Sequence, residues 1–233
     1  MLFLYISIKS NKILTVSDSI EKEYIFSKFI KNKIINIGNP VSREKILKKI
    51  ESLKREKIYD ICCTARISAP KNPLKFLNIV KELKQEFPNI NAIWIGDGEM
   101  KKIFIQKIKD LELDKNVKLV GFQKNPYEYM MQSKIFLLTS DWEGYGLAAF
   151  EALTLGLPCV VSNVGGLPNV VDENCGALCK NNDISEYVVN IKKLLLDDKK
   201  LKIFSENASN KSKQLDNFSE YMSRLSKIYD MEV

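Results

Sequence analysis

Histidine is absent from the 233 residues. Its absence removes Ser-His and Cys-His nucleophile activation and the usual histidine-containing metal sites. The five cysteines, Cys62, Cys63, Cys159, Cys175 and Cys179, are odd in number and form no Cys-x-x-Cys pair. Four of them lie in apolar, strand-like runs, where a thiol behaves as a small hydrophobe. Neither a disulfide framework nor a zinc site is expected, and a reducing cytoplasm fits this usage. No apolar run approaches bilayer-crossing length. The opening Met1–Ile8 is apolar but short. With no basic segment before it and no small-residue cleavage site after it, it reads as the stub of a packed element and not as a signal peptide. Zinc-finger spacing and aromatic-plus-basic clusters are missing, so nucleic acid is not an expected partner. There is no internal repeat and no low-complexity tract.

Charge is present in surplus. The chain carries 36 basic and 29 acidic residues, a net charge of +7. Lysines scattered over helical faces account for most of it as a solvated surface. The same surplus attracts anions, whether nucleotide phosphates or the acidic cytoplasmic face of a membrane.

Apolar runs of strand length alternate with amphipathic stretches. Strands are expected near Ile13–Ser17, Ile34–Ile37, Tyr59–Thr64, Ala92–Gly96, Val117–Val120, Ile135–Thr139, Pro158–Ser162 and Ala177–Cys179. Helical patterns cover Pro73–Phe87, Glu99–Leu113 and Gly146–Leu155, and then Ile184–Leu196, Lys199–Lys213 and Phe218–Tyr229. Continuous apolar runs such as Ile135-Phe-Leu-Leu suit strands covered on both faces. The alternation predicts an α/β protein with a Rossmann-like, doubly wound parallel sheet. One strand and one helix, roughly Ile13–Phe29, precede the turn signal Gly38-Asn-Pro40. That turn divides the chain into a leading segment, 1–37, and a main domain, 38–216, followed by a last helical segment, 217–233.

In such a sheet, ligands sit at the carboxyl ends of the strands. Three loops there carry chemistry. After Tyr59–Thr64, Arg66 and Lys71 emerge from one loop, a planar fork of donors and a point charge suited to a diphosphate. Read alone, they are two exposed basic residues. After Ala92–Ile95 comes Gly96-Asp97-Gly98-Glu99, which resembles a dinucleotide fingerprint but has Lys101 where the third glycine belongs. A tight turn capped by acids at a helix start is the slightly favoured reading.

The third loop is Ser140-Asp-Trp-Glu-Gly-Tyr-Gly146, leading into an apolar helix whose free amides form a natural phosphate site. Glu143 lies before those amides. Glu151 lies about a turn and a half beyond them, roughly 7 Å along the axis. A carboxylate accepts from two neighbouring hydroxyls at once, so an acid on each flank suits a sugar and a ribose joined by a diphosphate. Glu143 also reads as a helix-start acid favoured by the dipole. Glu151 has no basic helical neighbour, and an unpaired buried carboxylate is expensive, so it faces a cleft or a ligand. Gly144-Tyr-Gly146-Leu-Ala-Ala149 fits a nicotinamide-dinucleotide turn, but the acid about 20 residues further on is missing.

At these residues the chain resembles the donor-nucleotide domain of the family 4 glycosyltransferases, which have the two-domain GT-B architecture. The likeness runs from about Ile13 to Tyr229. It is carried by the Glu143-x7-Glu151 pair inside Glu-Gly-Tyr-Gly and Phe-Glu-Ala-Leu-Thr-Leu-Gly-Leu-Pro, and by Val-Val-Ser-Asn-Val-Gly-Gly166. Ala65-Arg66 with Lys71, Ile-Gly-Asp-Gly98, Val120-Gly121-Phe122, Asn39-Pro40-Val41 and Gly176 support it, all in the family's order.

The resemblance implies retaining transfer of a sugar from a nucleotide-sugar to a glycan or lipid-linked acceptor, as in polysaccharide or lipopolysaccharide biosynthesis. The donor is expected to be a UDP-hexose or UDP-N-acetylhexosamine, with a GDP-sugar next, and no metal or other cofactor is required. It assigns Arg66 and Lys71 to the diphosphate and the leaving-group charge. Glu143 goes to sugar hydroxyls, helped by backbone amides near Gly144, Tyr145, Gly146 and Leu147. Glu151 goes to the ribose, and Gly121, Phe122 and Gln123 to the border of the base. Ala65 and Asn72 depart from glycines common around the Arg and Lys, and Asn169 from a frequent acid; Asn72 can still adopt left-handed geometry.

By the same resemblance, 1–37 is the end of an acceptor-binding domain and 217–233 a helix that crosses back to it. The chain alone is therefore expected to bind a nucleotide-sugar with weak or no transfer. Two rivals stand beside this reading: a noncatalytic nucleotide-sugar-binding module working with a separate acceptor-domain chain, and a structural protein held on the cytoplasmic membrane face by charge alone.

Overall fold

The computed structural model describes residues 9–16, 27–53 and 56–230. The apolar opening and most of the first expected helix lie outside them. The main body is a sheet of six parallel strands in the order β5-β4-β3-β6-β7-β8. These are β3 (Tyr59–Thr64), β4 (Ala92–Ile95), β5 (Val117–Leu119), β6 (Ser133–Leu138), β7 (Cys159–Ser162) and β8 (Gly176–Cys179). The chain enters at the centre on β3, winds outward to β5, crosses back to β6 beside β3, and winds the other way to β8. The winding therefore reverses between β3 and β6, and the loops leaving these two strands flank the topological switch point.

Every residue of β4 and of β7 is buried, which is why both read as unbroken apolar runs. Helix α3 (Pro73–Glu86) begins with Asn72, whose side chain accepts from the Lys75 amide, and has proline at its first position. It buries Phe76, Leu77, Ile79, Val80 and Leu83. Trp94 on β4 meets Phe76 edge-on at 5.1 Å and Phe104 of α4 (Lys101–Asp110) at 5.3 Å. One ring thus fixes two helices on the sheet, and full burial of each such side chain is worth about 2–3 kcal/mol. Helix α6 (Leu147–Thr154) follows β6 and buries Ala149, Phe150, Ala152, Leu153 and Thr154. It packs against α9 (Asp198–Leu215), which follows α8 (Ile184–Leu195).

Ahead of the main sheet, β1 (Ile13–Thr15), α1 (Ser27–Ile30) and β2 (Ile34–Asn36) form a small unit in which β1 and β2 pair in parallel. After Gly38 the chain is tied to its far end. Asn217 accepts from the Val41 amide at 3.1 Å, and Arg43 reaches the hydroxyls of Ser209 and Ser212. Helix α10 (Phe218–Asp230) sends Arg224 to the Asn36 carbonyl at 2.8 Å.

Three short helices were not legible from periodicity: α2 (Arg43–Lys48), α5 (Tyr127–Met131) and α7 (Leu167–Val170). Each is shorter than the window that a helical period needs. The strand expected to reach Gly96 ends at Ile95, because Gly96 turns to φ 150° and pairs instead with Gly121 in an antiparallel bridge. Among the described residues no helix is long and apolar enough to cross a membrane, and no group of three or more acids and cysteines could hold a metal ion.

Candidate functional site

The loop after β3 and the loop after β6 meet at the switch point. Lys71, from the first, forms an ion pair with Oε1 of Glu143, from the second. The same oxygen accepts from the Ser140 hydroxyl at 2.8 Å, and Glu143 is 8% exposed. The contact is built from the backbone up. The Asp141 amide donates to the Pro70 carbonyl at 2.8 Å, and the Thr139 hydroxyl lies 3.2 and 3.1 Å from the carbonyls of Lys71 and Asn72. Asn72 takes the left-handed conformation, φ 43°, that its side chain tolerates, so the first loop closes directly into α3. Arg66 is exposed at the start of that loop.

A second cluster lies beside this pair. Asp141 accepts from the Asn72 side-chain amide at 3.1 and 3.0 Å, from the Lys75 ammonium at 3.0 Å and from the Asn181 side-chain amide at 3.0 Å. Lys75 also donates to the Asn181 side-chain oxygen and is 7% exposed. Partial burial works against ionisation of Asp141, but its donors Asn72, Lys75 and Asn181 win and hold the carboxyl below the usual range.

Glycines let the loops stack. At Gly165, φ 56°, an added Cβ would fall 1.7 Å from the Glu143 carbonyl oxygen, and at Gly166 2.4 Å from that of Gly144. The loop after β7 therefore supports the Glu143–Tyr145 backbone from below. Gly146 is left-handed, φ 94°, and opens α6 with no side-chain cap. Leu147 at the helix tip is half exposed, and the first amides of α6 have no partner within the helix.

Glu151 lies in the second turn of α6. Oε1 accepts from the Tyr127 hydroxyl of α5 at 3.0 Å, and among the described residues Glu151 forms no ion pair. Burial raises its carboxyl above the ordinary glutamate value, opposed by the Tyr127 hydroxyl and the Lys49 ammonium. On the other side of β3, Gly121 has φ 71° and bridges Gly96, Phe122 is 79% exposed, and Gln123 donates to the Val120 carbonyl.

The structure thus brings Lys71 and Glu143 into contact and puts Arg66, Gly121–Gln123 and Gly144–Leu147 at the carboxyl edge of one sheet. Among the described residues Glu151 is hydrogen-bonded by a tyrosine, with the Lys49 ammonium acting on it at longer range and no ion pair formed. Tyr127, Lys75, Asp141 and Asn181 were not picked out from sequence. Their partners lie far away in the chain, and only the strand order brings them together.

The doubly wound sheet carries a basic loop, an acid and an uncapped helix tip together at its switch point. The chain belongs to the glycosyl transferases group 1 family, whose profile matches residues 43–211. It is 33% identical over 214 residues to the UDP-Gal:α-D-GlcNAc-diphosphoundecaprenol α-1,3-galactosyltransferase of Escherichia coli, covering 86% of this chain and 54% of that protein. The fold is shared with S. aureus TarM, solved with UDP, at a TM-score of 0.85 and 19% identity over 98% of this chain and 45% of that one. It is shared too with the C-terminal domain of LpcC, a group 1 family protein of Francisella tularensis, at a TM-score of 0.62 and 22% identity over 74% of this chain and 92% of that one. The chain spans about half the length of the curated relatives it matches.

Proposed function

We propose that the chain supplies the donor half of a retaining glycosyltransferase, which moves a sugar from a nucleoside-diphosphate sugar to a glycan or lipid-linked acceptor. The observation that carries this is the Lys71–Glu143 pair at the switch point, beside an uncapped helix tip. An ammonium and a carboxylate already held together there suit a ligand that is anionic at one end and hydroxylated at the other. Lys71 and the exposed Arg66 take the diphosphate, and the amides at Gly144–Leu147 add donors. Glu143 accepts from sugar hydroxyls, Glu151 from the ribose, and Gly121–Gln123 border the base. UDP-hexose or UDP-N-acetylhexosamine is the favoured donor and a GDP-sugar the alternative. The E. coli relative, which is named for UDP-Gal and a diphosphoundecaprenol acceptor, supports the UDP reading and a lipid-linked acceptor.

In the reaction the bond between the anomeric carbon and the β-phosphate oxygen breaks, and its electron pair leaves with the nucleoside diphosphate. Arg66 and Lys71 stabilise the charge that develops there, which is electrostatic catalysis. The acceptor oxygen bonds to the anomeric carbon. Retention brings it in on the face the phosphate leaves, so its proton passes to the departing phosphate oxygen. Residues 1–37 and 217–233 are assigned to contact with an acceptor domain, whether covalently attached or a separate chain.

Thermal unfolding with UDP and GDP tests the reading. Protection by one nucleotide diphosphate, lost in Arg66→Ala, Lys71→Ala and Glu151→Gln variants of native fold, is expected. Protection unaffected by all three variants refutes the site.

A further inference from the structure

We propose that Asp141 is a positioning residue for the diphosphate subsite: with Lys75 it locks the loops after β3, β6 and β8 together, and so sets where the Lys71 ammonium points. The inference rests on the donor-site reading above and adds a residue to it.

The geometry is dense. A single carboxylate gathers the side-chain amides of Asn72 and Asn181 and the ammonium of Lys75. Asn72 and Lys75 belong to the β3 loop and the first turn of α3, Asp141 to the β6 loop, and Asn181 to the loop after β8. Three carboxyl-edge loops from separate strands thus converge on one group. Asn72 directly follows Lys71, and Glu143 lies two residues beyond Asp141, so the cluster and the Lys71–Glu143 pair are parallel cross-links between the same two loops.

Lys75 shows that the cluster is more than a surface ion pair. It is 7% exposed, in a helix whose other lysines reach solvent more freely, and both of its hydrogen bonds go into this cluster. A buried lysine held this way resists rearrangement, because breaking the contact leaves an uncompensated charge. Its ammonium also offsets Asp141, an acid that would otherwise repel a diphosphate arriving at the neighbouring loop. Asp141 therefore acts through Lys71, with no ligand contact of its own.

The readout is the affinity gained from the β-phosphate, the ratio of UMP to UDP dissociation constants measured by calorimetry on the full chain. A general loss of structure weakens both nucleotides, whereas misplacement of Lys71 lowers the ratio. The wild-type ratio should exceed one and collapse in Lys71→Ala; a wild-type ratio of one sinks the donor-site reading itself. In Asp141→Ala the ratio should fall by about fivefold, the size of a coupling between groups in one network, while UMP affinity stays within about twofold. A folded Asp141→Ala protein whose ratio stays within twofold of wild type, with Lys71→Ala still collapsed, overturns this inference alone. Should Asp141→Ala fail to fold, Asn181→Ala loosens the same cluster from the β8 side and is held to the same criterion.

Discussion

Lys71 and Glu143, 72 positions apart in sequence, form an ion pair across the point where the sheet reverses its winding. Glu143 is almost fully buried, and its other partner among the described residues is the Ser140 hydroxyl. Removing the ammonium leaves a carboxylate with one neutral donor. Lys71→Ala should therefore destabilise the free protein by about 1–3 kcal/mol, read by urea denaturation. Adding Glu143→Gln to that variant should recover part of the loss. A single variant as stable as wild type would show the pair to be a solvated contact of no energetic weight.

Glu151 makes the opposite prediction for the free protein. Its folded carboxyl is raised by burial. The protonated form is thus favoured by folding, a contribution fully present below the unfolded pKa and lost as pH rises through the folded one. At neutral pH the ionised group is a liability. Glu151→Gln should raise the melting temperature at pH 7, with the gain shrinking as pH falls and wild-type Glu151 takes up its proton. The same variant should lose nucleotide protection. A neutral-pH melting temperature lowered by the substitution would mean that the carboxylate is stabilised by more than Tyr127 and Lys49 supply.

Gly165→Ala should disturb the site from underneath. The new Cβ collides with the Glu143 carbonyl in a backbone conformation that L residues rarely adopt. Far-ultraviolet circular dichroism should keep its native form while UDP protection falls. Undiminished protection would show that the backbone at 143–145 is not held by the Gly-Gly loop.

Much of the fold was legible in advance. The parallel doubly wound sheet followed from the unbroken apolar runs at β4, β6 and β7, which burial on both faces requires. Arg66, Lys71, Glu143 and Glu151 were marked by residue type and by their place after strands or at a helix start. The Lys71–Glu143 contact itself was not readable, because it depends on β6 returning beside β3. Lys75 read as one more polar residue of an amphipathic helix, and only the fold turns its ammonium inward to Asp141. The Tyr127–Glu151 bond was hidden because α5 is too short to show a period.

The cysteines test the reading of composition. All five are buried and free. Burial pushes the thiols of Cys62 and Cys179 up to about 12 and that of Cys175 up to about 11, and those of Cys63 and Cys159 well above their ordinary value. A thiol-disulfide reagent at pH 8 should titrate essentially none in the native chain and all five in denaturant. Fast reaction of any one in the native state would place it in an open or loosely packed segment.

The most direct test is a crystal structure of the chain with UDP. The β-phosphate should lie within hydrogen-bonding distance of the Lys71 ammonium and the first amides of α6, with a ribose hydroxyl on the Glu151 carboxylate in place of the Tyr127 hydroxyl or shared with it. UDP bound away from the carboxyl edge of β3 and β6, with the Lys71–Glu143 pair untouched, would contradict the account.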